Sequence, residues 1–271
     1  MKPLAIDLFC GLGGWTEGLL AEGYYVIGFD IEKHEYGDAK YPGQLVLQDV
    51  LTLHGKQFKD AALIVASPPC QEFSYMAMPW SLAKKKQAEI EASPDEQRRL
   101  TALFDACFRI QREAIEAAGH HIPLVVENVR GAQKWVGRSR WNYGSFHLWG
   151  DVPALMPMTK TIKVHGFRFD GSGKSFQTAS VEESGLKGTN KIPNRGWTAG
   201  CAVTLGLENY NGIKQHGSCR EWFAGEGKIS RVTSSGSQAR KAASAMIAKI
   251  PLELSTYIAK HYKPEAMMEC A

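Results

Sequence analysis

Six cysteines stand at Cys10, Cys70, Cys107, Cys201, Cys219 and Cys270, and no two of them make a Cys-x-x-Cys pair. With no secretory signal at the start, this scatter points to reduced thiols in a cytosol-like compartment. No apolar run approaches the roughly 20 residues that cross a bilayer, so no membrane span is expected. The histidines, His34, His120 and His121 among them, lack ligand spacing, and no metal is expected. Internal repeats and low-complexity tails are also missing. Net charge is small, +4 with a pI near 8.6, and by itself hardly favours a polyanionic partner.

What the chain does have is enough apolar residue, 44% of 271, for one large domain or a core domain carrying a smaller one. Residues 4–9, LAIDLF, and 24–29, YYVIGF, pattern as strands, with a helix over 15–22 between them. Further strands are expected at 45–47, 62–66 and 122–126, the last after a helix over 94–118. Such alternation predicts an α/β fold with a mostly parallel sheet covered by helices. After Gly150 the texture turns to short polar pieces rich in Gly, Ser and Asn, which suits a small irregular domain with long loops. Helical periodicity returns near residue 236, with Ala245, Ile247, Ile250, Leu252 and Ile258 able to pack back on the first domain. The charge is unevenly spread: residues 152–235 hold eleven Lys and Arg against six Asp and Glu, the whole excess of the chain. That is a solvated face or a polyanion-binding surface.

Two strand ends carry chemistry. The first strand runs into Cys10-Gly11-Leu12-Gly13-Gly14, a glycine turn where backbone amides can approach a ligand. Asp30, at the end of the second strand and about 20 residues on, stands where an α/β nucleotide site places a carboxylate on ribose hydroxyls. Asp49 follows the next strand, in reach of an adenine amino group. NAD has to be considered, but GLGG is not the Gly-x-Gly-x-x-Gly fingerprint. The other strand end is ASPPCQEFS, residues 66–74, where Pro68 and Pro69 stop sheet pairing and stiffen the chain just before Cys70. A buried structural cysteine and a held nucleophile both remain open for it.

Taken together, IDLFCGLGGW (6–15), SPPCQEFS (67–74) and VVENVRG (125–131) resemble, in order, the first cofactor motif, the catalytic-cysteine motif and the Glu-Asn-Val motif of the cytosine-C5 DNA methyltransferases of bacteria and phages. The resemblance implies a Rossmann-like class I methyltransferase fold with a smaller irregular target-recognition domain. It also implies S-adenosyl-L-methionine as cofactor and methyl transfer to C5 of a cytosine flipped from double-stranded DNA. Cys70 would add as a thiolate to C6, breaking the aromaticity that makes C5 a poor nucleophile, and Glu127 would donate a proton to N3. To donate, Glu127 needs a raised pKa, which burial would supply. The same resemblance makes Phe9 the stacking partner of adenine, Asp30 the ribose ligand and Asp49 the contact to the adenine amino group. Asp7, Cys10, Gly11, Gly13 and Gly14 would complete the cofactor site from the first strand and turn, and Ile31, Val50 and Pro69 from the other strand ends. Asn128 would hold the Pro-Cys segment.

The chain departs from the family at several places. Val136-Gly137-Arg138-Ser139-Arg140 stands where Gln-x-Arg-x-Arg is usual, with valine in place of glutamine; Arg138 and Arg140 are carried over as catalytic-site residues, one of which would contact the cytosine carbonyl and help hold the ring, with phosphate or surface contact as the alternative. Ile31 replaces a tryptophan common after the ribose acid, and Gly-Asn-Ser is missing near the C-terminus. The segment 75–99, with KKKQ and QRR, takes the place of a loop closing over DNA or is a solvated helix. The division expected is a catalytic and cofactor domain over 1–150, target recognition over 151–235, and a returning helix over 236–271. A monomer in the cytoplasm of a bacterium or phage-infected cell is expected, restriction-linked or solitary. A tRNA- or RNA-acting enzyme of the same fold and a catalytically idle DNA-binding homologue are the alternatives.

Overall fold

The computed structural model describes residues 2–71, 73, 80–156, 241, 245 and 248–264, the side chains of 80–83 excepted. Expectations for the rest of 151–235, for Ile247, and for 75–79 of the closing loop lie outside these residues. The described part belongs to one compact unit formed by Met1–Pro157 and Lys249–Ala271, apart from residues 241, 245 and 248.

The chain opens as a βαβ unit of β1 (Leu4–Leu8), α1 (Gly14–Ala21) and β2 (Tyr25–Asp30). A two-stranded hairpin, β3 (Glu35–Tyr36) and β4 (Ala39–Lys40), forms its own small sheet before β5 (Gln44–Leu47). Then come β6 (Ala61–Ala66), α2 (Trp80–Ala92), α3 (Pro94–Ala118) and β7 (Leu124–Asn128). A short α4 (Gln133–Val136) leads to β8 (Trp141–Tyr143) and β9 (Phe146–Gly150). The last described helix is α5 (Leu252–His261).

Seven strands make one sheet in the order β5-β2-β1-β6-β7-β9-β8. The first five are parallel, and β9 and β8 close the sheet as an antiparallel hairpin. This is the mostly parallel, helix-covered sheet the alternation predicts, and it is Rossmann-like, as the resemblance implies. Chain order runs outward in opposite directions from β1 and β6, and the right-handed crossover rule then places α1 and α3 on opposite faces. The strand order reverses between β1 and β6, and a crevice outside the carboxyl ends there is the favoured ligand site of an open α/β sheet.

Local chemistry sets the element ends. At the start of α3 the Ser93 hydroxyl accepts from Glu96 N–H, Pro94 fills a position needing no donor, and Asp95 and Glu96 lie on the positive end of the helix dipole. Gly119 at φ 73° ends the helix. Its buried stripe, Leu100, Phe104, Cys107, Ile110 and Ala114, packs on Ile6, Leu8, Ile64 and Val126 of the sheet. Phe104 meets Trp149 of β9 edge-on, ring centroids 5.3 Å apart; each such buried aromatic contributes roughly 1.5–3 kcal/mol. On α1, Gly18 lets α5 come so close that a Cβ there would sit 2.4 Å from the Ser255 carbonyl carbon.

The strand expected at 122–126 forms two residues later. Pro123 has no N–H to give to a ladder, so regular pairing starts at Leu124 against Ile64, and Glu127 and Asn128 become the last residues of the strand. The hairpin of β8 and β9 has no counterpart in the periodicity analysis: three- and five-residue strands are too short to show alternation.

Candidate active site

The glycine turn after β1 is built from backbone that few side chains tolerate. Phe9 has φ 57°, Gly11 50° and Gly13 75°, and Gly13 N–H donates to Cys10 C=O at 2.7 Å. The Asp30 carboxylate closes this turn onto the end of β2. Its Oδ2 accepts from Gly11 N–H at 2.9 Å and its Oδ1 from Glu32 N–H at 3.3 Å, with His34 Nε2 3.6 Å from Oδ1. Burial pushes the Asp30 carboxyl up, but the hydrogen bonds from His34, Gly11 and Glu32 outweigh it and hold the group below the usual carboxylate range. It is an anion at neutral pH with lone pairs left for ligand hydroxyls.

Asp7 lies deeper, 1% exposed on β1. Thr16 donates to its Oδ2 at 2.6 Å, Tyr41 lies 2.7 Å from the Thr16 hydroxyl, and Oδ1 has no partner among the described residues. Burial, resisted by Thr16 and reinforced by Asp30, pushes Asp7 up to about 7. An orphaned buried acceptor at the back of a glycine turn suits a donor supplied by a ligand.

Around the same edge, Ile31 is 74% exposed after β2, with Leu47 at the end of β5 and Leu51 nearby also exposed. These form an apolar rim of the kind a flat aromatic base covers. Asp49 is half-buried and its Oδ1 caps the turn Val50–Thr52 through Leu51 N–H at 2.9 Å, while Val50 is buried beneath. Phe9, Gly11, Gly13, Gly14, Asp30, Ile31 and Asp49 therefore gather at one edge of the sheet.

The second cluster lies across the reversal point. Ladder pairing of β6 with β7 ends at Ala66 opposite Val126, so Ser67 stands beside Glu127 and Pro68 beside Asn128. Asn128 Nδ2 donates to Pro68 C=O at 3.0 Å, and its own Oδ1 accepts from Val129 N–H. Pro68 is buried and Pro69 exposed; Cys70, half-buried, accepts at its carbonyl from Phe73 N–H at 3.1 Å. Phe73 is 3% exposed in the core, and Gly131 makes room for its carbonyl, which a Cβ would meet at 2.0 Å. The arm bearing Cys70 is thus fastened on both sides of the thiol.

Cys10, Cys70 and Cys107 form no disulfide. Burial pushes the thiols of Cys10 and Cys107 up, so neither offers a thiolate. Cys70 is the one of these three that solvent reaches. Glu127, 7% exposed, pairs with Leu148 of β9. Arg138 and Arg140 are exposed before β8, two strands from Glu127, or about 10 Å of backbone separation. Arg140 N–H donates to the carbonyl of Leu148, the residue of β9 that pairs with Glu127, at 2.8 Å. The structure brings Cys70 and Glu127 to neighbouring strand ends and sets these arginines to one side. Trp15, Thr16, His34 and Tyr41 also belong to the two clusters; they come together through contacts that no spacing announces.

Among the described residues no helix is long and apolar enough to cross a membrane, and no group of three His, Cys, Asp or Glu is placed to hold a metal ion. Residues 4–112 match the family C-5 cytosine-specific DNA methylase. No curated protein matches the chain. Among solved structures it is similar to a protein described as a DNA modification methyltransferase encoded within an E. coli prophage, with 22% identity, 48% of this chain and 33% of that one covered, and a TM-score of 0.31. It is also similar to the S. pombe Dnmt2 methyltransferase, at 17% identity, 51% and 37% coverage and a TM-score of 0.32. A third is the Entamoeba histolytica methyltransferase EhMeth, at 17%, 51% and 41%, with a TM-score of 0.33. The chain spans 33–41% of the length of these proteins. Glu127 lies beyond the matched residues and stands on the strand register. From residue 4 to residue 112, where the glycine turn and the Pro-Pro-Cys arm both lie, the chain is similar to the C-5 cytosine-specific DNA methylase family.

Proposed function

We propose that the protein methylates C5 of cytosine in double-stranded DNA, using S-adenosylmethionine and a covalent bond between Cys70 and the base. The observation that supports this best is the side-by-side ending of β6 and β7, with Asn128 bonded to the Pro68 carbonyl so that the arm carrying Cys70 is braced against the strand carrying Glu127. In this reading the Cys70 thiolate adds to C6 of a base flipped out of the stack. Electron density moves toward N3, Glu127 supplies a proton there, and C5 becomes an enamine carbon able to attack. When bound, S-adenosylmethionine supplies an electrophilic methyl group. After transfer, a water takes the C5 proton, the C5–C6 double bond re-forms as the Cys70 thiolate leaves, and N3 returns its proton to Glu127.

The residues at the glycine turn fit that cofactor: Asp30 for the ribose hydroxyls, the rim at Ile31 and Phe9 for adenine, Asp49 for its amino group. Asp30→Ala should weaken S-adenosylhomocysteine binding about tenfold or more, since each charge-assisted hydrogen bond contributes roughly 1.5–3 kcal/mol. Calorimetric titration reads this directly; unchanged affinity would contradict the ribose role. Segment 151–235, with its Lys and Arg excess, is proposed to contact phosphates and read the target sequence. Incubating the protein with random-sequence duplex DNA and mapping 5-methylcytosine at base resolution tests the whole reading. Methylation at one short sequence is expected; an unmethylated duplex, with RNA methylated in a parallel incubation or not, would overturn it.

A further inference from the structure

We propose that Trp15 is a positioning residue for Cys70, holding the arm of the nucleophile to the glycine turn through Ser67. This rests on the reading of Cys70 as the nucleophile. Ser67 N–H donates to Leu8 C=O at 3.1 Å, the last sheet bond before two prolines that have no N–H. Beyond that bond, and before Cys70, the arm can be held only through carbonyls and the Ser67 hydroxyl. Asn128 takes the Pro68 carbonyl from the β7 side. From the other side, Trp15 Nε1 donates to Ser67 Oγ at 3.0 Å, across 52 residues of sequence.

Trp15 is suited to this. It is 2% exposed, and an indole has one donor in a fixed plane, so its direction is set by packing. It is the second residue of α1, directly after the glycine turn, and that first turn has little freedom. Glu17 N–H donates to Gly13 C=O at 2.9 Å, and a Cβ on Gly14 would lie 2.4 Å from Ile250 N. The Trp15–Ser67 bond therefore joins the two clusters across the β1/β6 reversal point, fixing the thiol relative to the place where a methyl donor is proposed to lie. A small misplacement between reacting atoms is costly in rate, so such a tether has a catalytic consequence.

The test compares Ser67→Ala, Ser67→Thr, Trp15→Phe and the Ser67→Ala/Trp15→Phe double variant in the full chain. Each is pulsed with iodoacetamide, and alkylation of Cys70 and of the fully buried Cys107 is read by peptide mapping. Ser67→Ala and Trp15→Phe should each raise Cys70 alkylation several-fold, with the double variant no higher than either, because both remove one bond. Ser67→Thr, which keeps the hydroxyl, should stay at the parent rate, and Cys107 should stay protected. A parent-like rate in Ser67→Ala, or effects that multiply in the double variant, would overturn the proposal. Should Trp15→Phe expose Cys107 by unfolding, the Ser67→Ala and Ser67→Thr pair decides alone. Alkylation needs no methyl transfer, so a parent protein that methylates nothing refutes the proposed function, whereas equal alkylation refutes the tether.

Discussion

Cys70→Ser should lower methyl transfer by about four orders of magnitude or more, the scale seen when a covalent enzyme loses its nucleophile. The reason is the protonation state: a serine hydroxyl is almost wholly protonated near neutral pH and is a far weaker nucleophile than a thiolate. Nothing else in the site should change much. Cys70 is half-buried, not in the core, and its arm is fastened through the Pro68 carbonyl, the Ser67 hydroxyl and the Phe73 amide rather than through the thiol. Duplex binding, followed by fluorescence anisotropy, should therefore persist in the variant. Methyl transfer that survives the substitution would mean that another group attacks the base.

Glu127→Gln should slow transfer by roughly 10²–10⁴-fold, the usual contribution of a positioned general acid. The amide keeps the shape of the side chain but has no acidic proton for N3. Glu127 sits at the penultimate position of β7, paired with Leu148 and 7% exposed, so an isosteric change there should leave the sheet intact. A thermal unfolding midpoint near the parent's, with a large fall in kcat, separates loss of the acid from loss of the fold. Equal fall in stability and rate would instead make Glu127 a structural carboxylate.

The positions of the reacting groups along the chain were legible because both sit where apolar strands end. The run LIVA stops at two prolines, and VV stops at Glu-Asn, so two reactive side chains at parallel strand ends follow from the α/β alternation. Asp30 was legible in the same way, from its distance beyond the glycine turn. What holds these groups was not. The bond from Trp15 to Ser67 spans 52 residues and the one from Asn128 to Pro68 spans 60, and no local period encodes either. His34 looked unassigned for want of metal spacing, yet it lies beside Asp30. The two-residue displacement of β7 turned on the missing donor of Pro123, and the β8/β9 hairpin on Gly144 at φ 60° in a loop too short for periodicity to register. Arg138 and Arg140 were placed by motif alone; no periodicity shows that β9 comes between β7 and β8, with Leu148 of β9 bonded to Arg140 on one side and paired with Glu127 on the other.

The central claim, a bond between Cys70 and the target base, is tested most directly with DNA carrying 5-fluorocytosine. Fluorine replaces the proton whose loss from C5 lets the thiol leave, so after one methyl transfer the protein should stay attached and the complex should survive denaturing electrophoresis. Digestion and peptide mapping then locate the attachment. The account predicts the peptide containing Cys70 and no adduct from Cys70→Ser; attachment through Cys10 or Cys107, or an adduct formed by Cys70→Ser at the parent rate, would contradict it.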